Sequence, residues 1–313
     1  NVQLHIMSYL DTADLCRTSA VCALWSEISS DNMLWKRKLE RDVHSWKTVG
    51  HATNPDLYEE CQSDWSYKQM CDQYLRCCPE VNQRMRYANN NFHQLSSFLR
   101  SMWPKKTPKF AMLGPGLESS TSHVVRTIID DRSETFKRTG MFPGQFEGVG
   151  SGFTMRTTSA LTFHLITLYS NTRAERQNLQ PGQRLERHRL MQQDAERQEE
   201  ELIEIRQPVK DLCRTLDGVI FVIDASGDVG AVEQSRLELH AMVGEMWTSA
   251  HVPLLVLSCV PDITSQRKHS SLQVSRLLQL GKLNRPWQVR DCIAAEHCGL
   301  VGGFEWIAEQ AQR

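Results

Sequence analysis

Phe110-Ala111-Met112-Leu113-Gly114-Pro115-Gly116-Leu117-Glu118-Ser119-Ser120-Thr121 is the stretch on which the reading of the larger part of this chain turns. A short apolar run ends on a glycine, a loop of small residues follows, and Val124, Val125, Ile128 and Ile129 then recur at helical spacing. Strand, small-residue loop and helix in this order put backbone amides where a phosphate loop would cradle a nucleotide. The side chains such a loop needs are missing. Ser119 stands where a second glycine would let the backbone approach the phosphates, Ser120 where a lysine would neutralise them, and Glu118 adds a negative charge. Gly114 keeps its type, and Thr121 matches the position of a magnesium-binding hydroxyl.

Outward from this loop, strand-like and helical patterns alternate. Phe153 to Thr157, Leu161 to Leu168, Gly218 to Asp224, Pro253 to Cys259 and Trp287 to Asp291 read as further strands, with helical stretches between most of them. Val219-Ile220-Phe221-Val222-Ile223 is apolar throughout, which suits a central parallel strand covered on both faces. The expected class is a doubly wound α/β sheet.

Asp217-Gly218-Val219-Ile220-Phe221-Val222-Ile223-Asp224-Ala225-Ser226, with Pro286-Trp287-Gln288-Val289 through Gly303-Phe304-Glu305-Trp306-Ile307, resembles the small GTPases, in particular their Arf-like branch. The resemblance covers residues 107–313 and implies a P-loop fold. It also marks two further departures. Tyr169 runs into Ser170-Asn171-Thr172 where the family has Asp-x-x-Gly, and Leu257-Ser258-Cys259-Val260-Pro261-Asp262 keeps only the last Asp of the guanine-reading Asn-Lys-x-Asp. With three nucleotide-binding elements altered, the expectation is a degenerate site with no cofactor and no turnover, leaving at most a weak anion site at the helix N-terminus. If the family's strand order holds, the sheet edges are Phe153–Thr157 and Trp287–Asp291. Phe153 and Met155 would then be anchors for a protein substrate that adds a strand.

The N-terminal residues follow another pattern. Leu4, Met7 and Leu10 recur at helical spacing, Asp11 and Asp31 are placed as helix caps, and Val21, Leu24, Trp25 and Ile28 form one apolar stripe. Three or four short helices result, with more apolar positions than one small bundle can hide, so a partner surface is implied. A plain helical bundle would explain any one of these residues. The joint pattern of Asp14-Leu15, Val21-Cys22-x-x-Trp25 and Leu34-Trp35 resembles the F-box, the module that binds the Skp1 adaptor of SCF ubiquitin ligases. On that resemblance Leu4, Met7, Leu10, Leu15, Val21, Cys22, Trp25, Leu34 and Trp35 face Skp1 or hold the module's own core, and the sequence does not divide the two roles. The chain opens inside this pattern at Asn1, without Met, and is read as an N-terminally trimmed F-box over residues 1–45.

Leu57, Trp65, Tyr67, Met70, Cys71, Tyr74, Leu75, Met85 and Phe98 predict a helical linker over residues 46–106, closed by Trp103-Pro104-Lys105-Lys106-Thr107-Pro108. Residues 173–206 are dense in Arg, Glu and Gln and are read as a solvated helix or partly disordered insertion, with a substrate-contact arm as the other reading.

Lys and Arg total 36 against 37 Asp and Glu, a net charge of −1 that argues against nucleic acid as a partner. No apolar run is long enough to span a bilayer, so no membrane partner is expected. The ten cysteines include no C-x-x-C pair, and Cys77 and Cys78 are adjacent. Free thiols, no metal site and a cytoplasmic location, with the nucleus also open, are therefore expected. Together the resemblances imply a non-catalytic substrate receptor. It would dock Skp1, and through it the cullin/RING core, and present a protein substrate on the GTPase-like domain. An F-box GTP-binding switch and a non-degradative F-box scaffold are the alternatives. His297-Cys298 is the pair to suspect if the chain carried ubiquitin itself, but neighbouring side chains rarely align as base and nucleophile.

Overall fold

Polar caps cut the N-terminal apolar pattern into four helices: α1 (Val2–Ser8), α2 (Thr12–Thr18), α3 (Ala23–Ser29) and α4 (Asn32–Trp46). Asp11 accepts from the amide of Asp14 at 2.7 Å, and Asp31 accepts from those of Met33 and Leu34 at 2.9 and 3.2 Å. Each such cap is worth about 1 kcal/mol. Val21 and Cys22 do not share the helix of Trp25. Cys22 is extended (φ −160°) and precedes α3, so the expected single stripe starts on a connecting segment.

The computed structural model describes residues 2–46, 66–77, 106–129, 135–141, 150–171, 188–193, 203–296 and 299–312. The chain divides into two compact units, residues 1–89 and 90–313. In the first, Met7, Leu15, Ile28, Leu34, Trp35 and Leu39 are buried. Trp35 donates its indole N–H to the Ser29 carbonyl at 2.6 Å, and the buried Lys38 bonds the Leu10 carbonyl. Helix α5 (Tyr67–Cys77) packs on α4 and buries Met70, Cys71 and Cys77. It is the described part of the expected linker. Leu57, Trp65, Met85, Phe98 and Trp103-Pro104-Lys105 lie outside the described residues.

The second unit is built on a seven-stranded sheet in the order β2-β3-β4-β1-β7-β8-β9. Its strands are β1 (Lys109–Leu113), β2 (Phe136–Met141), β3 (Gly150–Thr157), β4 (Thr162–Leu168), β7 (Gly218–Asp224), β8 (Leu254–Val260) and β9 (Trp287–Ile293). Strands β4, β1, β7, β8 and β9 pair in parallel, and β2 and β3 are antiparallel additions. Phe110, Met112, Ile220, Val222, Leu255 and Leu257 form one core with Val124 and Ile128 of α6 (His123–Ile129) and Phe304 and Ile307 of α10 (Leu300–Ala311). Alternation along the strands turns Val219, Phe221 and Ile223 to the opposite face. There α8 (Val229–Met242) contacts β7 and α9 (Ser271–Leu277) contacts β9. The α plus α/β architecture with a P-loop-like second part is thus as expected.

Two expectations fail. Strand β3 is not an edge: β2 pairs along its outer side from Phe136↔Thr157 to Met141↔Phe153, and Met155 is buried. Phe153 and Met155 therefore cannot anchor an added strand. The edges are β2 and β9, and β9 is shielded, with Trp287, Gln288, Val289 and Arg290 all buried. The charge-rich stretch is also not helical where it is described. β5 (Met191–Gln193) and β6 (Ile203–Ile205) form an antiparallel ribbon that contacts α8. Leu190, Met191 and Ile205 are buried, and His188 lies 3.3 Å from Glu238 with both side chains buried. The sparse apolar residues of that run are what pin it down. Helix α7 (Gln207–Cys213) follows directly.

The described cysteines, Cys16, Cys22, Cys71, Cys77, Cys213, Cys259 and Cys292, are in no disulfide. Among the described residues no helix is long and apolar enough to cross a membrane, and no metal-ligating cluster occurs.

Candidate functional site

Burial separates the residues that the F-box pattern left mixed. Met7, Leu15, Leu34 and Trp35 belong to the core of the first unit, with Trp35 only 1% exposed. Leu4 and Leu10 are partly exposed, whereas Val21, Cys22 and Trp25 are on the surface, Trp25 at 40% and Val21 at 63%. Val2, Ile6, Tyr9, Leu24 and Met33 are exposed apolar residues as well, Tyr9 at 76%. Leu24 was legible from the stripe it shares with Trp25 and Ile28. Nothing in the local pattern marks Tyr9, whose hydroxyl lies 3.3 Å from His5 Nε2. Helices α1 and α3, which carry Val2, Ile6, Leu24 and Trp25, contact each other. Large apolar side chains left in water beside a filled core are the mark of a surface made to be covered.

In the second unit the place to hold a ligand is at the C-terminal ends of the parallel strands, where open α/β sheets bind theirs. After β1 the chain turns through Gly114, whose φ of 117° is open only to glycine, into a single 3₁₀ turn at Pro115–Leu117. A Cβ on Gly114 would lie 2.4 Å from the Val222 carbonyl oxygen, and one on Gly116 would lie 2.7 Å from Val222 Cγ1. These glycines let the loop pack against β7, and Leu117 is buried beneath it.

Every side chain at the nucleotide-loop positions is turned on the protein itself. Thr121 is buried and donates to the Gly116 carbonyl at 2.8 Å. Ser120 donates to Asp224 Oδ2 at 2.6 Å, and Ser119 lies 3.1 Å from the Thr121 hydroxyl. Glu118 accepts from the amide and hydroxyl of Ser170 at 2.6 and 2.5 Å. Thus the unexpected acid of the loop and the unexpected serine of the Asp-x-x-Gly position satisfy each other. Asp224 also accepts from the amide and hydroxyl of Ser226. Burial works against its charged form, but the bonds from Ser120, Ser226 and Ser119 outweigh it and hold the carboxyl below the usual range. The amides of Thr121, Ser122 and Val124 are bonded within the turn, and α6 is only seven residues long, so the expected weak anion site finds no support.

The base-reading end is closed in the same way. Asp262 Oδ1 accepts from the amides and hydroxyls of Thr264 and Ser265, which hold its carboxyl below the usual range. Arg267 spans the ends of two strands. It donates to the Ser258 hydroxyl at 2.7 Å and the Cys292 carbonyl at 3.3 Å, and pairs with Asp291 at 2.9 Å. Its loop returns over β7, with the amides of Lys268 and His269 bonded to the Ala225 carbonyl. No motif in the sequence singled out Arg267. A nucleotide with its magnesium ion does not fit these residues: the hydroxyl and carboxylate groups it would need are committed to internal bonds. His297 and Cys298 lie outside the described residues.

Comparison with known proteins agrees with this division. Residues 1–41 match the F-box-like family and residues 201–311 match the ADP-ribosylation factor family. The whole chain is similar to F-box only protein 4 of Bos taurus, 28% identical over 321 residues that cover 82% of that protein. A stretch of 97 residues, 31% of this chain, is 32% identical to ADP-ribosylation factor-like protein 3 of Chlamydomonas reinhardtii and covers 52% of it. A stretch of 43 residues, 14% of this chain, is 40% identical to a protein named probable E3 ubiquitin ligase complex SCF subunit sconB of Talaromyces stipitatus and covers 6% of it.

Proposed function

From a chain that joins an F-box-like module to an Arf-like domain, we propose a substrate receptor of an SCF ubiquitin ligase. The first unit docks Skp1, and through it the cullin/RING core, and the second holds a protein target without turning over nucleotide. The observation that carries this reading is the exposed apolar set Ile6, Tyr9, Val21, Leu24, Trp25 and Met33 on a module whose core is already filled. The similarity of a stretch of this chain to a Talaromyces protein named as a probable SCF subunit supports the same assignment.

Catalysis in this reading is by proximity. Fixing a target near the ubiquitin-carrying enzyme raises the effective concentration of its lysines, and no residue of this chain makes or breaks a bond. The committed hydroxyls and carboxylates of the closed loop support a domain kept for its shape. A cytoplasmic location, with access to the nucleus, belongs to the same proposal.

The test is capture of purified Skp1 by this chain, compared with a Leu24→Ala/Trp25→Ala variant. Both side chains are exposed, so the variant keeps its circular dichroism and melting curve. Capture by the parent with at least tenfold weaker capture by the folded variant is expected. Equal capture by both, or none by the parent, would overturn the proposal.

A further inference from the structure

One face of the second unit gathers cations from three strands. Across the antiparallel part of the sheet Lys137, Arg156 and Thr162 stand in one row, paired Lys137↔Arg156 and Arg156↔Thr162. Thr154, His164 and Lys109 form the next row, paired Thr154↔His164 and Lys109↔His164. These side chains share the face away from the core, because their strand neighbours Phe136, Met155, Thr157 and Phe163 point inward and are buried. The Thr154 hydroxyl lies 3.1 Å from His164 Nδ1, and Thr139 on β2 bonds the Thr154 carbonyl.

Lys137 and Arg156 are both exposed, and neither makes an ion pair among the described residues. Directly opposed residues on antiparallel strands hold their Cβ atoms about 4.5–5.5 Å apart, and like charges so placed repel. A glutamate at either position would turn that repulsion into attraction. The acidic group at the margin is Asp217, which is committed to the Lys109 amide at 2.9 Å and to Lys106 at 3.4 Å. The field of the face is felt at His164, whose pKa is lowered by burial and by Lys109, with Asp217 acting the other way.

We propose that this face, lined by Lys109, Lys137 and Arg156 with the hydroxyls of Thr139, Thr154 and Thr162 between them, docks an acidic protein segment. Charge complementarity chooses the occupant: two opposed cations are relieved by a carboxylate set between them. Neighbours within a row stand about 4.8 Å apart from strand to strand and the two rows about 7 Å apart along the strands, spacings that acidic side chains of an extended segment can span. Net charge near −1 gives the chain no general attraction for polyanions, so the selectivity is local. The proposal rests on the reading of the second unit as the target-holding part.

The experiment is fluorescence anisotropy of the full chain with a labelled peptide of eight alternating glutamate and threonine residues, beside its glutamine counterpart. The expected result is salt-sensitive binding of the glutamate peptide alone, weakened at least tenfold by Lys137→Glu and by Arg156→Glu. Lys282→Glu, the same charge change on an exposed residue elsewhere, leaves it unchanged. Melting gives an independent readout. Lys137→Glu raises the melting temperature by about 1–4 °C, because the cross-strand repulsion becomes an ion pair. No binding by the parent, equal weakening by Lys282→Glu, or no rise in melting temperature overturns the proposal. So does a labelled duplex oligonucleotide that binds the same face more tightly than the peptide. Skp1 capture is read separately, so failure on this face and failure of the receptor reading are told apart.

Discussion

The two units treat their sensitive surfaces in opposite ways. The first fills its core with Met7, Leu15, Ile28, Leu34, Trp35 and Leu39 and still leaves Tyr9, Val21, Leu24 and Trp25 in water. The second has a place where a ligand would be expected, and there many of the polar groups are bonded to one another: Glu118 to Ser170, Ser120 to Asp224, Thr121 to Gly116, Arg267 to Ser258 and Asp291. An unfinished apolar surface is a statement about a partner, since its free energy is recovered only when something covers it. A polar network closed on itself is a statement about shape, since its bonded groups must be released before a ligand can use them.

The contrast can be broken most forcefully at the two tryptophans. Trp35→Ala removes a fully buried ring and its bond to Ser29, and should destabilise the first unit by about 3–5 kcal/mol in chemical denaturation. Trp25→Ala should cost under about 1 kcal/mol while abolishing Skp1 capture. Equal destabilisation by both would mean that Trp25 is core and that the surface has been misassigned. Next in size is Gly114→Ala. With φ at 117° and a Cβ 2.4 Å from a carbonyl oxygen, it should cost about 1–3 kcal/mol or more. A neutral result would show that the loop is not packed on β7.

Smaller effects sharpen the closed-network side. The pKa of Asp224 lies below that of an unfolded aspartate, about 3.9. Its contribution is therefore complete above about pH 5 and is lost as pH falls through the folded value. Ser120→Ala removes one bond to that carboxylate. It should cost about 1 kcal/mol at neutral pH and flatten the loss of stability on acidification. A parallel shift of the whole pH curve would sink that assignment. The smallest effect is the most telling: about 1 mM GTP or GDP with magnesium should leave the melting temperature unmoved, whereas a dissociation constant of about 10 μM would add roughly 2.7 kcal/mol.

Much of the sheet could be read in advance because its central strands are apolar throughout. Gly218–Asp224 was read to the residue, and β1, β8 and β9 nearly so. Strand β2 was invisible for a physical reason. Of Phe136-Lys137-Arg138-Thr139-Gly140-Met141 only Phe136 is buried, and a register shift between Arg138 and Gly140 spoils alternation. Missing it made β3 look like an edge. The ribbon of β5 and β6 was hidden because its strands are three residues each within a run of charge. At the site, the absent lysine and glycine told that the loop had lost its chemistry, but not what replaced it. Bonds such as Glu118 to Ser170, 52 residues apart, leave no local trace. In the F-box pattern, Trp25 and Trp35 are the same residue type with opposite roles, and only packing separates them.

The central position of β1 has a consequence in time. It pairs with β4 on one side and β7 on the other, and the Lys109 amide meets Asp217, 108 residues further along. At roughly 5–20 residues per second of synthesis, β1 waits roughly 5–20 s for its second neighbour. Among the described residues, helices α1–α4 pack on one another and on α5, all within residues 2–77, and can close long before then. Through that interval the apolar run of β1 stands with one flank unpaired, which makes the synthesis of the stretch between β1 and β7 the point at which a chaperone matters most for this chain.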